Sequence, residues 1–436
     1  MKYYCIGIKG SGMATLAEIL FDLGNIVSGY DDYKDYKFTQ EGIDKRGIKI
    51  YYDNDHEIDK DTIVTYSKAF SMDHPEIKRV KELGLKIIEY NELLGKISGE
   101  FKTIGVSGTH GKTTTSTMIS HVLRETKGCN YFIGDGSGFA SKENKLFTLE
   151  SCEYNKHFLS YHPYYAIVTN IELEHTECYK DINEIIDTFT LFANKANVTI
   201  ACGDDLNVRK MNVKNKIVYY GFNDDNNVVA KNVKLTKNGS EFDVYMDGKM
   251  YGHFDIPLFG EHMVLNALAC ITVCDMEKVE KESIHELLHT FENAKRRFKE
   301  HTFGNVVTID DYAHHPTEIK VTINSARQKY PDKEIVAIFL PNTYSRTEAL
   351  MGDFISALKT ADKAYVMDIH CDRERQEDYP GVSSDEIIKN VPNAEKISID
   401  TVDKLLKHKN AAICFMSCTN IYEILGKFEE LLKNKK

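Results

Sequence analysis

Apolar and polar positions follow two rhythms along this chain. Short apolar runs, Lys2 to Ile8, Ile26 to Asp31 and Thr62 to Ser67, are separated by stretches with apolar residues three and four apart, Ser11 to Leu23 and Pro75 to Leu83. Strands alternating with helices predict a parallel sheet with crossover helices. A break at Gly95 to Glu100 closes this block, and a strand at Thr103 to Ser107 with a helix from Gly111 opens a second. The second block continues with strands near Leu146 to Glu150 and Tyr165 to Asn170 and a helix around Ile182 to Asn194. Between Lys216 and Leu258 the period falls to two, and Asn238-Gly239 and Asp247-Gly248 are hairpin signals, so an antiparallel excursion is expected there. Helical stretches at Glu261 to Cys274 and Lys281 to Asn293 lead into a third alternating block with strands at Val306 to Asp310, Ile335 to Leu340, Ala364 to Ile369 and Ile413 to Met416. The expectation is a three-domain α/β chain divided as 1–98, 99–300 and 301–436.

Composition narrows the partners. The 436 residues suit roughly three domains of about 150 residues. With 55 basic and 66 acidic residues the net charge is −11, which argues against a protein that coats nucleic acid or an anionic membrane. No apolar run approaches the ~20 residues of a membrane span, and Met1 to Gly12 passes from a strand into glycines with no export signal. The ten cysteines are scattered, and the pairs Cys270/Cys274 and Cys414/Cys418 lack metal or redox spacing. A soluble, cytoplasmic protein with reduced thiols is expected.

The chemistry begins at Gly105-Val-Ser-Gly-Thr-His-Gly-Lys-Thr-Thr114, after a strand and before a helix. Gly108 and Gly111 free main-chain N–H groups to converge on phosphate oxygens, Lys112 reaches the terminal phosphates, and Thr113 can ligate Mg²⁺. Glu150 and His175 follow the ends of two further strands, where α/β sheets bind ligands. On chemistry alone Glu150 is equally a solvated strand-end acid, and a histidine is an unusual partner for Mg²⁺. Gly7-Ile-Lys-Gly-Ser-Gly-Met13 with Asp31 is nearly a dinucleotide fingerprint, but Lys9 stands at the middle glycine, where a side chain would obstruct a pyrophosphate. His285-Glu-Leu-Leu-His289 has the HExxH spacing of zinc proteases. With Ile284, Leu287, Leu288 and Phe291 forming the apolar stripe, however, both histidines are expected on a solvated face.

These segments together resemble the Mur ligases. The phosphate loop has their GxxGTxGKTT form, Leu149-Glu-Ser-Cys-Glu-Tyr154 is similar to their acidic strand end, and Thr169-Asn-Ile-Glu-Leu-Glu-His175 is similar to their TNIxxDH segment. Gly260-Glu-His-Met-Val-Leu-Asn-Ala267, Lys295-Arg-Arg-Phe298 and Asp310-Asp-Tyr-Ala-His-His-Pro316 resemble three further family segments. The resemblance implies Rossmann-like first and third domains around a central ATPase-type domain. Its ATP-binding set would be Gly108, Thr109, Gly111, Lys112, Thr113, Thr114, His262, Asn266, Arg297 and Asp311. Thr113, Glu150 and His175 would hold Mg²⁺ or Mn²⁺, and Lys112, His175, Arg297 and His314 would be catalytic. Gly10, Ser11, Gly12, Met13, Asp31 and Ser67 would hold the UDP-sugar, and Ser345 and Arg346 the reacting end of the substrates.

Gly7 to Met13, Val27-Ser-Gly-Tyr-Asp-Asp32 and Leu340-Pro-Asn-Thr-Tyr-Ser-Arg-Thr347 resemble, within the family, the branch that joins L-alanine to UDP-N-acetylmuramate in peptidoglycan synthesis. The departures from that branch are Lys9, Cys152, Glu174, Asn342 in place of histidine, Thr343 in place of arginine, and Ser417 to Asn420 in place of a glycine turn. They leave open other Mur-type substrates, and a sugar-nucleotide-binding protein without turnover.

Overall fold

A computed structural model describes residues 1–37, 39–175, 178–293, 296–371 and 374–434. It shows a three-domain α/β fold with three sheets. In the first, strands Lys49–Tyr51, Ile26–Tyr30, Lys2–Ile6, Thr62–Tyr66 and Lys86–Glu89 lie side by side in that order, all parallel. By its internal packing the chain divides into two compact units. One is made of residues 1–231, 243–254 and 265–291, the other of 232–242, 255–264 and 292–436.

The second sheet has ten strands. Its strand Lys102–Ser107 lies between Leu146–Glu150 and Tyr165–Val168 and is parallel to both. Val106 pairs with Glu150 and Ser107 with Val168, so three carboxyl ends emerge side by side. The excursion expected from Lys216 starts later: Lys216–Gly221 is parallel to Val198–Cys202 and to the start of Val228–Thr236, and only then do Val228–Thr236, Gly239–Met246 and Lys249–Ile256 follow one another through two-residue turns. Asp247 and Gly248 both have positive φ, 46° and 78°, as a two-residue hairpin turn demands. At the other turn, Gly239 is the first residue of its strand rather than a turn residue. A Cβ there would overlap the carbonyl oxygen of Ile256, which accounts for the glycine by close approach.

In the third sheet, Ala411–Met416 lies between Val306–Asp311 and Glu334–Phe339, parallel to both, with Asp311, Met416 and Phe339 in register at their ends. Lys299–Phe303 is antiparallel at the edge. Ile335 to Leu340 and Ala411 to Met416 are buried throughout. Strands covered on both faces have no polar side to show, hence the unbroken apolar runs in the sequence. Among the described residues no helix is long and apolar enough to cross a membrane.

Candidate active site

The phosphate loop is shaped by two glycines and clamped by a neighbouring strand end. Gly108 and Gly111 have φ of 140° and 81°, where a side chain is strained, and a Cβ on Gly108 would overlap Thr169 Oγ1. The main-chain N–H of His110 donates to Asn170 Oδ1 at 2.8 Å, and Thr169 Oγ1 donates to His110 O at 2.6 Å. The N–H of Thr109 donates to Asn170 O at 3.0 Å. Thr169 and Asn170 thus fix the loop from the adjacent strand. The helix Lys112–Thr126 begins directly after Gly111, and a Cβ on Gly111 would lie 2.9 Å from Asn266 Oδ1, which brings Asn266 to the same loop.

Lys112 Nζ donates to the carbonyls of Gly108 and Thr109 and lies 3.1 and 3.0 Å from the two carboxylate oxygens of Glu153. Burial works against its charge, but the carboxylates of Glu153 and Glu150 outweigh it and raise the pKa above the ordinary lysine value. Thr113 Oγ1 donates to Glu150 Oε1 at 3.0 Å, and Glu150 Oε2 accepts from the main-chain N–H of Gly134 at 2.7 Å. His175, in a left-handed conformation with φ 53°, places Nε2 at 3.8 Å from Glu153 Oε1. The structure therefore brings together Lys112, Thr113, Glu150 and His175. It adds Glu153, which is 3% exposed. Glu153 went unassigned in the sequence reading although it lies within Leu149 to Tyr154. The available signal was its position three residues beyond Glu150, inside the segment just past the strand end.

Thr113 and Glu150 present a hydroxyl and a carboxylate 3.0 Å apart, the hard oxygen donors that Mg²⁺ takes, and the His175 imidazole with the Glu153 carboxylate adds donors acceptable to Mn²⁺. Thr113 and Glu150 fit a divalent cation as a pair, while among the described residues no group of three metal-binding side chains includes Glu150, Glu153 or His175.

At the glycine turn of the first sheet, Lys9 has a structural role. Its side chain is buried, and Nζ donates to the carbonyls of Tyr33 and Asp35 at 2.9 and 2.7 Å. The ammonium holds the 33–35 loop in place. Asp31 accepts from the main-chain N–H of Lys9 at 2.9 Å and of Tyr33 at 3.1 Å. Gly10 precedes the helix Ser11–Asp22, in which Gly12 abuts the Tyr90 hydroxyl and Met13 is buried. Ser67, whose N–H donates to Ile6 O at 3.0 Å, follows the adjacent strand Thr62–Tyr66.

In the other unit, Glu318 gathers two predicted residues. Its carboxylate lies 3.7 Å from Arg297 NH1 and 3.1 Å from His314 Nδ1, and the sequence reading assigned it no role. Asp311 accepts from the N–H groups of Phe298 and Ala313 at 2.8 and 2.9 Å, and burial pushes its pKa up to about 6. Burial and the Arg297 guanidinium push His262 down to about 4, leaving a neutral imidazole at pH 7. Lys295, the first residue of the KRRF-like segment, lies outside the described residues. The turn at Ser417 forms without the family's glycines. Ser417 Oγ donates to Leu340 O at 3.0 Å and accepts from the N–H of Thr419 at 3.1 Å, while Arg296 binds the carbonyls of both.

The HExxH spacing has no metal site behind it. His285 packs on the Phe254 ring, His289 is exposed, and among the described residues no metal-binding group includes either. Leu287, expected in the apolar stripe, is only half-buried.

Three family models match consecutive parts of the chain, the Mur ligase family catalytic domain at 2–102, the Mur ligase middle domain at 106–274 and the Mur ligase glutamate ligase domain at 296–414. The chain belongs to the Mur ligase family. It is thereby a member of a family of ATP-dependent ligases. Among solved structures it is similar to the UDP-N-acetylmuramate-alanine ligase MurC of Thermotoga maritima, at 24% identity and TM-score 0.81, with 100% of each chain covered. It is also similar to a pseudomurein peptide ligase type C from Methanothermus fervidus, at 16% identity and TM-score 0.69, covering 100% of this chain and 99% of that one. A third is the MurF ligase of T. maritima in complex with ADP, at 15% identity and TM-score 0.69, covering 87% of this chain and 97% of that one. At these identities the structural likenesses speak for the fold.

Proposed function

We propose that this Mur ligase joins L-alanine to UDP-N-acetylmuramate in the cytoplasm, at the expense of ATP, through an acyl phosphate. The observation that carries the reading is the cluster of Lys112, Thr113, Glu150, Glu153 and His175 at the carboxyl ends of three adjacent parallel strands. The substrate choice rests on the segments Gly7 to Met13 and Leu340 to Thr347, which resemble those of the alanine-adding branch.

In this reading the substrate carboxylate attacks the γ-phosphorus of ATP, and ADP departs. The amine then attacks the acyl carbon, the tetrahedral intermediate expels phosphate, and the amine nitrogen releases its proton. Lys112 exchanges its contacts with Glu153 and the loop carbonyls for the phosphates, and the N–H groups around Gly108 and Gly111 bind and orient them. A cation held by Thr113, Glu150 and His175 would supply charge neutralisation at the transferring phosphoryl group. Gly10, Ser11, Gly12, Met13, Asp31 and Ser67 take the UDP-sugar, His262 and Asn266 the adenine side, Arg297 and Asp311 the phosphate and ribose, and Ser345 and Arg346 the reacting ends. Glu150→Gln and His175→Ala should each raise the Mg²⁺ concentration for half-maximal rate at saturating ATP. An unchanged titration in both would move the ligands elsewhere.

The test of the reading is phosphate release from ATP with UDP-N-acetylmuramate and a panel of amino acids and peptides. L-alanine should give the highest kcat/KM. The specific rival is a different acid or amine, favoured by Asn342 and Thr343. A faster rate with another pair would establish it.

A further inference from the structure

Strand Glu334–Phe339 ends in Leu340 to Thr343, and the short helix Tyr344–Ala349 carries Ser345 and Arg346. Thr343 has φ 67° and ψ 139°, a conformation that a β-branched residue adopts only when its surroundings enforce it. Two sets of contacts do so. On one side the N–H of Thr343 donates to His370 O at 3.2 Å, and Asn342 Nδ2 donates to the same carbonyl at 3.3 Å. On the other, the Glu374 carboxylate accepts from the N–H groups of Tyr344 and Ser345 at 2.7 and 3.1 Å and from Ser345 Oγ at 2.5 Å. Glu374 is itself fixed by its own N–H, which donates to Cys371 Sγ at 3.2 Å.

We propose that Glu374 is a positioning residue that holds the strained Thr343–Arg346 segment so that Arg346 presents its guanidinium to the substrate carboxylate. The proposal rests on the functional reading above. Three donors converge on one carboxylate, and an ionised carboxylate is acceptor-only, so it satisfies all of them at once. A glutamine can keep both N–H donors on its one acceptor oxygen, but its NH₂ group then faces the Ser345 hydroxyl, which must turn from donor to acceptor and loses the charge assistance. An aspartate is one methylene too short to span the same gap.

The experiment compares full-length wild type with Glu374→Ala, Glu374→Gln and Glu374→Asp by amide hydrogen exchange and steady-state kinetics. Exchange of the Tyr344 and Ser345 amides should accelerate at least tenfold in Glu374→Ala. The KM for the acid or the amino acid should rise at least tenfold, that for ATP should stay within twofold, and the melting temperature should stay within a few degrees. Glu374→Gln should fall between alanine and wild type. Unchanged exchange at the two amides overturns the proposal, as does faster exchange with unchanged KM values, or a rise in the KM for ATP equal to that for the other substrates. If wild type turns over none of the panel, the functional reading falls, and the exchange result alone still decides whether Glu374 holds the segment.

Discussion

Lys112→Ala should lower kcat for ligation by about a thousandfold or more, since a fixed positive charge on a transferring phosphoryl group acts mainly in the transition state. The structure adds a second consequence. Glu153 is 3% exposed, and its carboxylate oxygens lie 3.0 and 3.1 Å from Lys112 Nζ. Deleting the lysine removes the cation that faces this buried carboxylate, while the His175 imidazole lies 3.8 Å away. Breaking a buried pair from one side costs about 3–5 kcal/mol, most of it the desolvated charge left behind. The single variant should therefore be both inactive and less stable, and its inactivity alone would be ambiguous. In Lys112→Ala/Glu153→Gln the stranded charge is gone, so thermal stability should recover toward wild type while activity stays lost. Measuring product formation and thermal unfolding on both variants separates the two effects. Near-normal turnover in the folded double variant would remove the loop from the mechanism.

The parts of this site legible in the sequence are those that depend on local order. Glycines 108 and 111 with Lys112 between a strand and a helix specify a phosphate loop because the geometry is set within ten residues. For Glu150 and His175 the strand pattern offered only a place, since parallel strands put their carboxyl ends on one edge of a sheet, and the role came from the resemblance to the Mur ligases. Which strands would be neighbours was not legible, and that adjacency is what puts Thr169 and Asn170 on the loop and His175 beside Glu153. What Lys9 does was not legible for a related reason. Its position in the fingerprint speaks only to a pyrophosphate, while the carbonyls that its ammonium binds, those of Tyr33 and Asp35, belong to a loop over twenty residues away. Ser417 shows the same limit from the other side. The loss of glycines cast doubt on the turn, yet a serine hydroxyl that donates to Leu340 O and accepts from Thr419 N–H builds one by other means.

Arg346→Lys should raise the KM for the acidic substrate or the amino acid roughly ten- to a hundredfold while leaving that for ATP nearly unchanged. Two neighbouring positions, where the family resemblance implies a histidine and an arginine, serve the backbone here. Asn342 spends its amide on His370 O, and Thr343 occupies the strained bend that starts the helix. Neither carries a charge, so under the proposed function recognition of a carboxylate at this strand end would fall on Arg346. A guanidinium holds both carboxylate oxygens through a planar fork, whereas an ammonium is a point charge with no fixed plane. Losing one charge-assisted hydrogen bond of the two is worth roughly 1.5–3 kcal/mol, the stated range in KM. Lysine keeps the charge, so the variant isolates geometry from electrostatics. Steady-state kinetics with each substrate varied in turn decides the matter. A rise confined to ATP would move Arg346 to the nucleotide, and equal constants for all three substrates would show that another residue carries the carboxylate, with the substrates of other Mur-type ligases becoming the better assignment.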